Sequence, residues 1–300
     1  MAYGLLCILK KAGNYKLSVT IWCYHAVRMS ICVAFNLSDG VVMAVDSAIT
    51  MFSGPGTISK VFLDADKLFQ LGKLRVGIAT YGVASLHGRT IGSFIREFAG
   101  DKNNADLPNL ELREIAERLR KFILEYYRSF GEKIHGKPFD EIPDNVKGFL
   151  GLVIGGFSPG SFQSEIWEIV IPSHNTEYSA VQRNAPGAYG INWFAASMPI
   201  FRYIKGIDPG LSSKLKAEFE KMLGRQITAE EQKRFAEILG EHEYRISSEG
   251  MPIQIGIECA KFLVNFVIGH YTFSETHPIV GGRTKIGVVS YSHDAFTLLS

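Results

Sequence analysis

Residues 30–47 read Ser30-Ile31-Cys32-Val33-Ala34-Phe35-Asn36-Leu37-Ser38-Asp39-Gly40-Val41-Val42-Met43-Ala44-Val45-Asp46-Ser47. Two apolar, β-branched-rich runs flank a Ser-Asp-Gly turn. Asp and Gly tolerate positive φ, so the stretch predicts a hairpin with strands over 31–37 and 41–45. Further short strands are expected over 60–63, 67–70 and 74–79, ending at Tyr81-Gly82. A helix is expected from about Val83 to Phe98, because Leu86, Ile91, Phe94, Ile95 and Phe98 recur near helical spacing. A second helix is expected over 110–130.

Beyond these, Phe149 to Phe157 and Ser164 to Ile171 read as strands around Ser158-Pro159-Gly160-Ser161. The interval from Ser197 to Ile268 reads as mostly helical. It includes a capping box at Thr228-Ala229-Glu230-Glu231 and a long apolar helix from Ile253. A last strand is expected over 285–290. Strands and helices come in segregated blocks, which predicts an α+β fold with two antiparallel sheets and helices outside them.

Composition narrows the function classes. The chain has 300 residues, 46% apolar and 21% charged, close to the globular average. Its 32 basic and 30 acidic residues leave a net charge of +2, so no general attraction to nucleic acid or an anionic membrane is expected. Four cysteines are too few and too scattered for a disulfide framework, which makes a cytoplasmic location the expectation. No apolar run reaches the length of a membrane span. Residues 1–29 read as an N-terminal extension: its apolar stretch precedes its charges, unlike a signal peptide.

Several motifs fail on inspection. Gly156-Phe157-Ser158-Pro159-Gly160 matches the G-x-S-x-G elbow, but Pro159 has no N–H for an oxyanion hole and a strand follows it. A β-hairpin turn is the better reading. No metal-binding or phosphate-binding motif is present, and no cofactor is expected. Cys23 and His25 have no second pair. Cys32 reads as a small buried hydrophobe.

What remains is an ordered set: Ser30 opening a strand, the Asp39-Gly40 turn, and Asp46 closing the second strand 16 residues after Ser30. Lys60-Val61-Phe62 and Val76-Gly77-Ile78-Ala79-Thr80 follow. Over about residues 30–100 this set resembles the β-type subunits of the 20S proteasome and their bacterial relatives, which are N-terminal-nucleophile (Ntn) hydrolases. The resemblance implies a four-layer αββα sandwich over 30–300, with a helical elaboration at about 208–250. Residues 1–29 would be a propeptide or lie upstream of the true start at Met29.

The implied site follows residue by residue. Ser30 is the nucleophile and, once freed, its own α-amine is the base. That amine has a reference pKa of about 7.7–8.0, so no histidine is needed. Lys60 supplies positive charge, Asp46 orients it, and the Thr80 N–H is the oxyanion donor, with Gly82 as a competing alignment. Ser197 is the nearest counterpart of the family's distal serine turn. Ile49 and Ile78 would line an apolar substrate pocket. The expected substrate is a peptide or unfolded protein, and the expected assembly is a homo-oligomeric ring, with a regulatory ATPase left open. Two alternatives stay open: a catalytically silent structural subunit, and an Ntn amidase acting on a small amide.

Overall fold

The computed structural model describes residues 30–54, 57–172, 179–274, 280–291 and 296–299. The hairpin forms: β1 (Ile31–Leu37) and β2 (Gly40–Val45) run antiparallel, with Leu37 opposite Gly40 and Cys32 opposite Val45. Gly40 has φ +149°, and a Cβ there would lie 2.0 Å from the Val289 carbonyl oxygen. Only glycine lets the turn close against that neighbouring strand.

A separate two-stranded ribbon follows, β3 (Ile49–Gly54) with β4 (Thr57–Phe62). Next come β5 (Leu68–Gln70), β6 (Val76–Gly82) and a short hairpin of β7 (Ser85–Leu86) with β8 (Arg89–Thr90). Helix α1 spans Ile91–Gly100 and α2 spans Leu112–His135. Strands β9 (Leu150–Phe157), β10 (Ser164–Ile171), β11 (Val181–Gln182) and β12 (Gly190–Ala195) come next. The chain then forms α3 (Met198–Lys205), α4 (Pro209–Leu223), α5 (Ala229–Glu241) and α6 (Ile253–Phe273). It closes with β13 (Lys285–Ser290) and β14 (Thr297–Leu299).

The fold mixes α and β, and every strand pair is antiparallel. One five-stranded sheet has the order β12-β1-β2-β13-β14; the other has the order β11-β10-β9-β6-β5. Side-chain alternation sorts β1 between two cores. Ile31, Val33, Phe35 and Leu37 pack with α3 and α6, whereas Cys32 and Ala34 face Ala79, Val153 and Ile166 of the other sheet. Both faces are covered, so the strand is apolar at nearly every position instead of alternating with polar residues. The second sheet turns Ile78, Leu152 and Ile154 to α1 and α2. Gly155 meets the first sheet, where an added Cβ would lie 2.3 Å from Met43 Cε. Close approach of the two sheets requires a residue with no side chain there.

Two expectations need correction. The first helix begins at Ile91, not Val83. The β7–β8 hairpin intervenes, with His87 and Gly88 both at positive φ, and the Thr90 hydroxyl caps the helix by accepting from the Ser93 N–H. Strands β3, β7, β8, β11, β12 and β14 were not expected at all. The G-x-S-x-G stretch is indeed a hairpin turn: Ser158 Oγ accepts from the Leu112 N–H and donates to Glu165.

Helix α6 has the length and hydropathy of a membrane span, the one described helix that does. Its Ala260, Leu263, Val264 and Val267 pack in the core shared with β1 and β2. Each large side chain buried this way contributes about 1.5–3 kcal/mol.

Candidate active site

The hairpin register creates the site. Extending the pairing of Cys32 with Val45 by one step sets Ile31 opposite Asp46, just where both strands end. The Asp46 N–H donates to the Ile31 carbonyl at 3.3 Å, and the Ile31 N–H donates to Asp46 Oδ1 at 3.1 Å. Asp46 Oδ2 accepts from the N–H groups of Ala48 (3.3 Å) and Gly281 (3.2 Å). The carboxylate is fully buried and therefore held by backbone from three directions.

The cation that completes the site is Lys67, on the residue before β5. Its Nζ donates to Ser30 Oγ at 2.7 Å and to Asp46 Oδ1 at 2.9 Å. Ser30, Asp46 and Lys67 are all buried. Burial pushes the Lys67 ammonium below the ordinary lysine value, while the Asp46 carboxylate works in the opposite direction. A serine hydroxyl, a cation and a carboxylate thus form one hydrogen-bonded line.

Lys60 is not that cation. It lies exposed on β4 opposite Met51, with its Nζ 4.5 Å from the centre of the Phe62 ring. The β3–β4 ribbon is a separate two-stranded sheet, and among the described residues it is Lys67, not Lys60, that bonds Ser30 and Asp46. The sequence contains a second K-[IVL]-F triplet, Lys67-Leu68-Phe69. That repeat was the available signal for the correct lysine.

Thr80 also needs correction. Its N–H donates to the Lys67 carbonyl at 2.8 Å, because β6 runs on to Gly82 and Thr80 is a mid-strand residue. That bond fixes the backbone that carries Lys67. Antiparallel alternation, with Val83 N–H bonded to the Phe149 carbonyl, turns the next N–H on the Lys67 edge to be that of Gly82. Strand β5 begins only at Leu68, so no strand residue lies opposite Gly82 there. Gly82 has φ +86°, and an added Cβ would lie 2.0 Å from the Phe149 carbonyl oxygen.

Ser197 stands at the right end of the sheet. The adjacent Ala196 N–H donates to the Ser30 carbonyl at 2.9 Å, but Ser197 Oγ donates to the Ala195 carbonyl at 3.3 Å. It makes no hydrogen bond to Ser30 Oγ among the described residues. Ile49 is half-buried at the start of β3, opposite Phe62. Ile78 is a correction: it is fully buried against α1 and α2, on the sheet face that points away from Ser30. The thiol of Cys32 is pushed far up, first by burial and then by the Glu168 and Asp46 carboxylates, which leaves it inert. The N-terminal extension, residues 1–29, lies outside the described residues. Among the described residues no group of His, Cys, Asp and Glu could hold a metal ion.

No family model matches the chain, and no curated protein matches it. Among solved structures it is similar to an Anbu (Gly-1) mutant from Hyphomicrobium sp. strain MC1. The identity is 12% and the TM-score 0.49, over 90% of this chain and 85% of that one.

Proposed function

We propose that the chain is a proteasome-like Ntn hydrolase built as an αββα sandwich, which cleaves peptide bonds with Ser30 after residues 1–29 are removed. The observation that carries this reading is the Lys67 ammonium bridging Ser30 Oγ and Asp46 Oδ1 at 2.7 and 2.9 Å in a buried site.

The chemistry follows from that geometry. Cleavage before Ser30 converts an amide nitrogen into a primary amine on the same residue as the hydroxyl. That amine takes the hydroxyl proton as Oγ attacks the substrate carbonyl. The Lys67 charge stabilises the developing alkoxide, and Asp46 keeps the ammonium aimed at it. The Gly82 N–H is the donor available to the tetrahedral oxyanion, a contribution of about 3–4 kcal/mol to the transition state. The protonated amine then gives its proton to the leaving nitrogen, forming an acyl-serine ester that water hydrolyses.

Ring assembly belongs to the same reading. Exposed Ile255, Phe262 and Phe266 on α6 and Leu211, Leu215 and Phe219 on α4 are apolar surface that another subunit would cover.

The test is labelling of the native protein with an electrophilic peptide, followed by peptide mapping. The expected result is one adduct on Ser30, absent from Ser30→Ala. No adduct under any condition overturns the hydrolase reading in favour of a silent structural subunit. Turnover of small amides with no labelling by peptides overturns the peptide substrate.

A further inference from the structure

The three site residues come from separate parts of the chain, and something must set the distance between them. Asp46 directly follows β2, whereas Lys67 follows a ribbon and a turn with no strand pairing of its own to β2. Ser47 joins these parts with all of its polar atoms. Its Oγ donates to the Leu63 carbonyl at 2.6 Å and accepts from the Arg283 N–H at 2.7 Å. Its own N–H donates to the Gly281 carbonyl at 3.2 Å, and its carbonyl accepts from the Ala65 N–H at 2.8 Å.

The residue is fully buried. The three segments meet so closely that a Cβ on Gly282 would lie 2.4 Å from Ser47 Oγ and 2.2 Å from the Leu63 carbonyl oxygen. Gly282 has φ +75°, a conformation that glycine adopts without strain.

Each segment tied by Ser47 carries one end of the site. Leu63 and Ala65 lie on the turn leading into Lys67. Gly281 donates its N–H to Asp46 Oδ2. A second tie runs outside the first: Lys285 Nζ lies 2.7 Å from Asp66 Oδ1 and 3.2 Å from Asp64 Oδ1. The segment 281–285 therefore grips the 63–66 turn twice while holding the Asp46 carboxylate from its other side.

We infer that Ser47 is a positioning residue, whose hydroxyl clamps residues 63–65 to residues 281–283 and thereby sets the separation of Asp46 and Lys67. The inference rests on the hydrolase reading for its kinetic consequence. The described hydrogen bonds of Ser47 go to Leu63, Ala65, Gly281 and Arg283 and not to Ser30 or Lys67. A displacement of about 1 Å in such a site can lower a rate by about a hundredfold.

The experiment compares wild type, Ser47→Ala, Ser47→Thr and Lys285→Ala, labelled with the electrophilic peptide over a range of concentrations. In Ser47→Ala the saturating rate should fall about tenfold to a hundredfold with the half-saturating concentration unchanged. Ser47→Thr keeps the hydroxyl and should recover part of that loss. Lys285→Ala keeps Ser47 and should show a smaller loss of the same kind, which serves if the alanine variant does not fold.

A wild-type saturating rate in Ser47→Ala overturns the inference, as does a loss confined to the half-saturating concentration or one as large in Ser47→Thr. If wild type itself takes no label, the hydrolase reading has failed and the clamp is read by hydrogen exchange. The Ile31 and Gly281 amides, both bonded to Asp46, should then exchange faster in Ser47→Ala, or in Lys285→Ala should alanine at 47 not fold. Unchanged exchange overturns the clamp.

Discussion

Replacing Lys67 by methionine removes the charge while nearly keeping the length and volume of the side chain, so little cavity forms. At 2.9 Å and an effective dielectric near 20, the attraction between Lys67 and Asp46 is about 6 kcal/mol. Much of this is offset, because the variant no longer has to desolvate an ammonium. Breaking a buried pair from one side typically costs about 3–5 kcal/mol. The low end applies here, since Asp46 keeps backbone donors from Ile31, Ala48 and Gly281. A loss of about 3 kcal/mol corresponds to a fall in Tm of about 5 °C, at about 2.1 cal/mol/K of unfolding entropy per residue over about 270 residues. Labelling of Ser30 should fall far more steeply, because the alkoxide loses its cation. Calorimetry on folded Lys67→Met and the rate of adduct formation check both arms. A Tm within about 2 °C of wild type would refute the buried-pair reasoning. Adduct formation at the wild-type rate would refute the catalytic assignment of Lys67.

Lys60→Ala should label like wild type, since Lys60 is an exposed ribbon residue; a large loss would restore it to the site. Gly82→Ala should cut adduct formation at least tenfold by forcing a side chain against the Phe149 carbonyl oxygen, and normal labelling would remove Gly82 as oxyanion donor. Burial lowers the Lys67 pKa in the folded chain, so between that lowered value and 10.5 the unfolded chain binds more protons. Stability contributed by this group therefore rises with pH across that window and is flat on either side. Denaturant melts of wild type minus Lys67→Met should show this rise, and a falling difference would contradict it.

The parts of the fold that were legible in sequence share a physical cause. Strands β1, β2, β9, β10 and β13 are buried on both faces or end in strong turns, so their apolar runs and Gly-containing corners announce them. Strand β12 reads Gly190-Ile191-Asn192-Trp193-Phe194-Ala195, half-exposed and mixed, and gives no such signal. Helix α1 was misplaced because Leu86 was read into the helical series of Ile91, Phe94, Ile95 and Phe98, although it belongs to a hairpin with positive φ at its turn.

The site divides the same way. Ser30 and Asp46 were legible because a tight hairpin converts their sequence separation directly into proximity. Lys67 was not, because the β3–β4 ribbon takes up an arbitrary length of chain before the lysine returns to the sheet. Thr80 failed because β6, expected to stop at Ala79, runs on to Gly82, which leaves the Thr80 N–H paired with the Lys67 carbonyl. Ser47 gave no signal at all: its partners lie 16 and 236 residues away in the chain.

The most direct measurement is the N-terminal residue of chains that carry the peptide adduct, read by intact mass and sequencing of the native protein. Every labelled chain should begin at Ser30, with the adduct on that residue. Labelled chains that still hold Met29 in peptide linkage would contradict the account, since an amide nitrogen cannot take the hydroxyl proton.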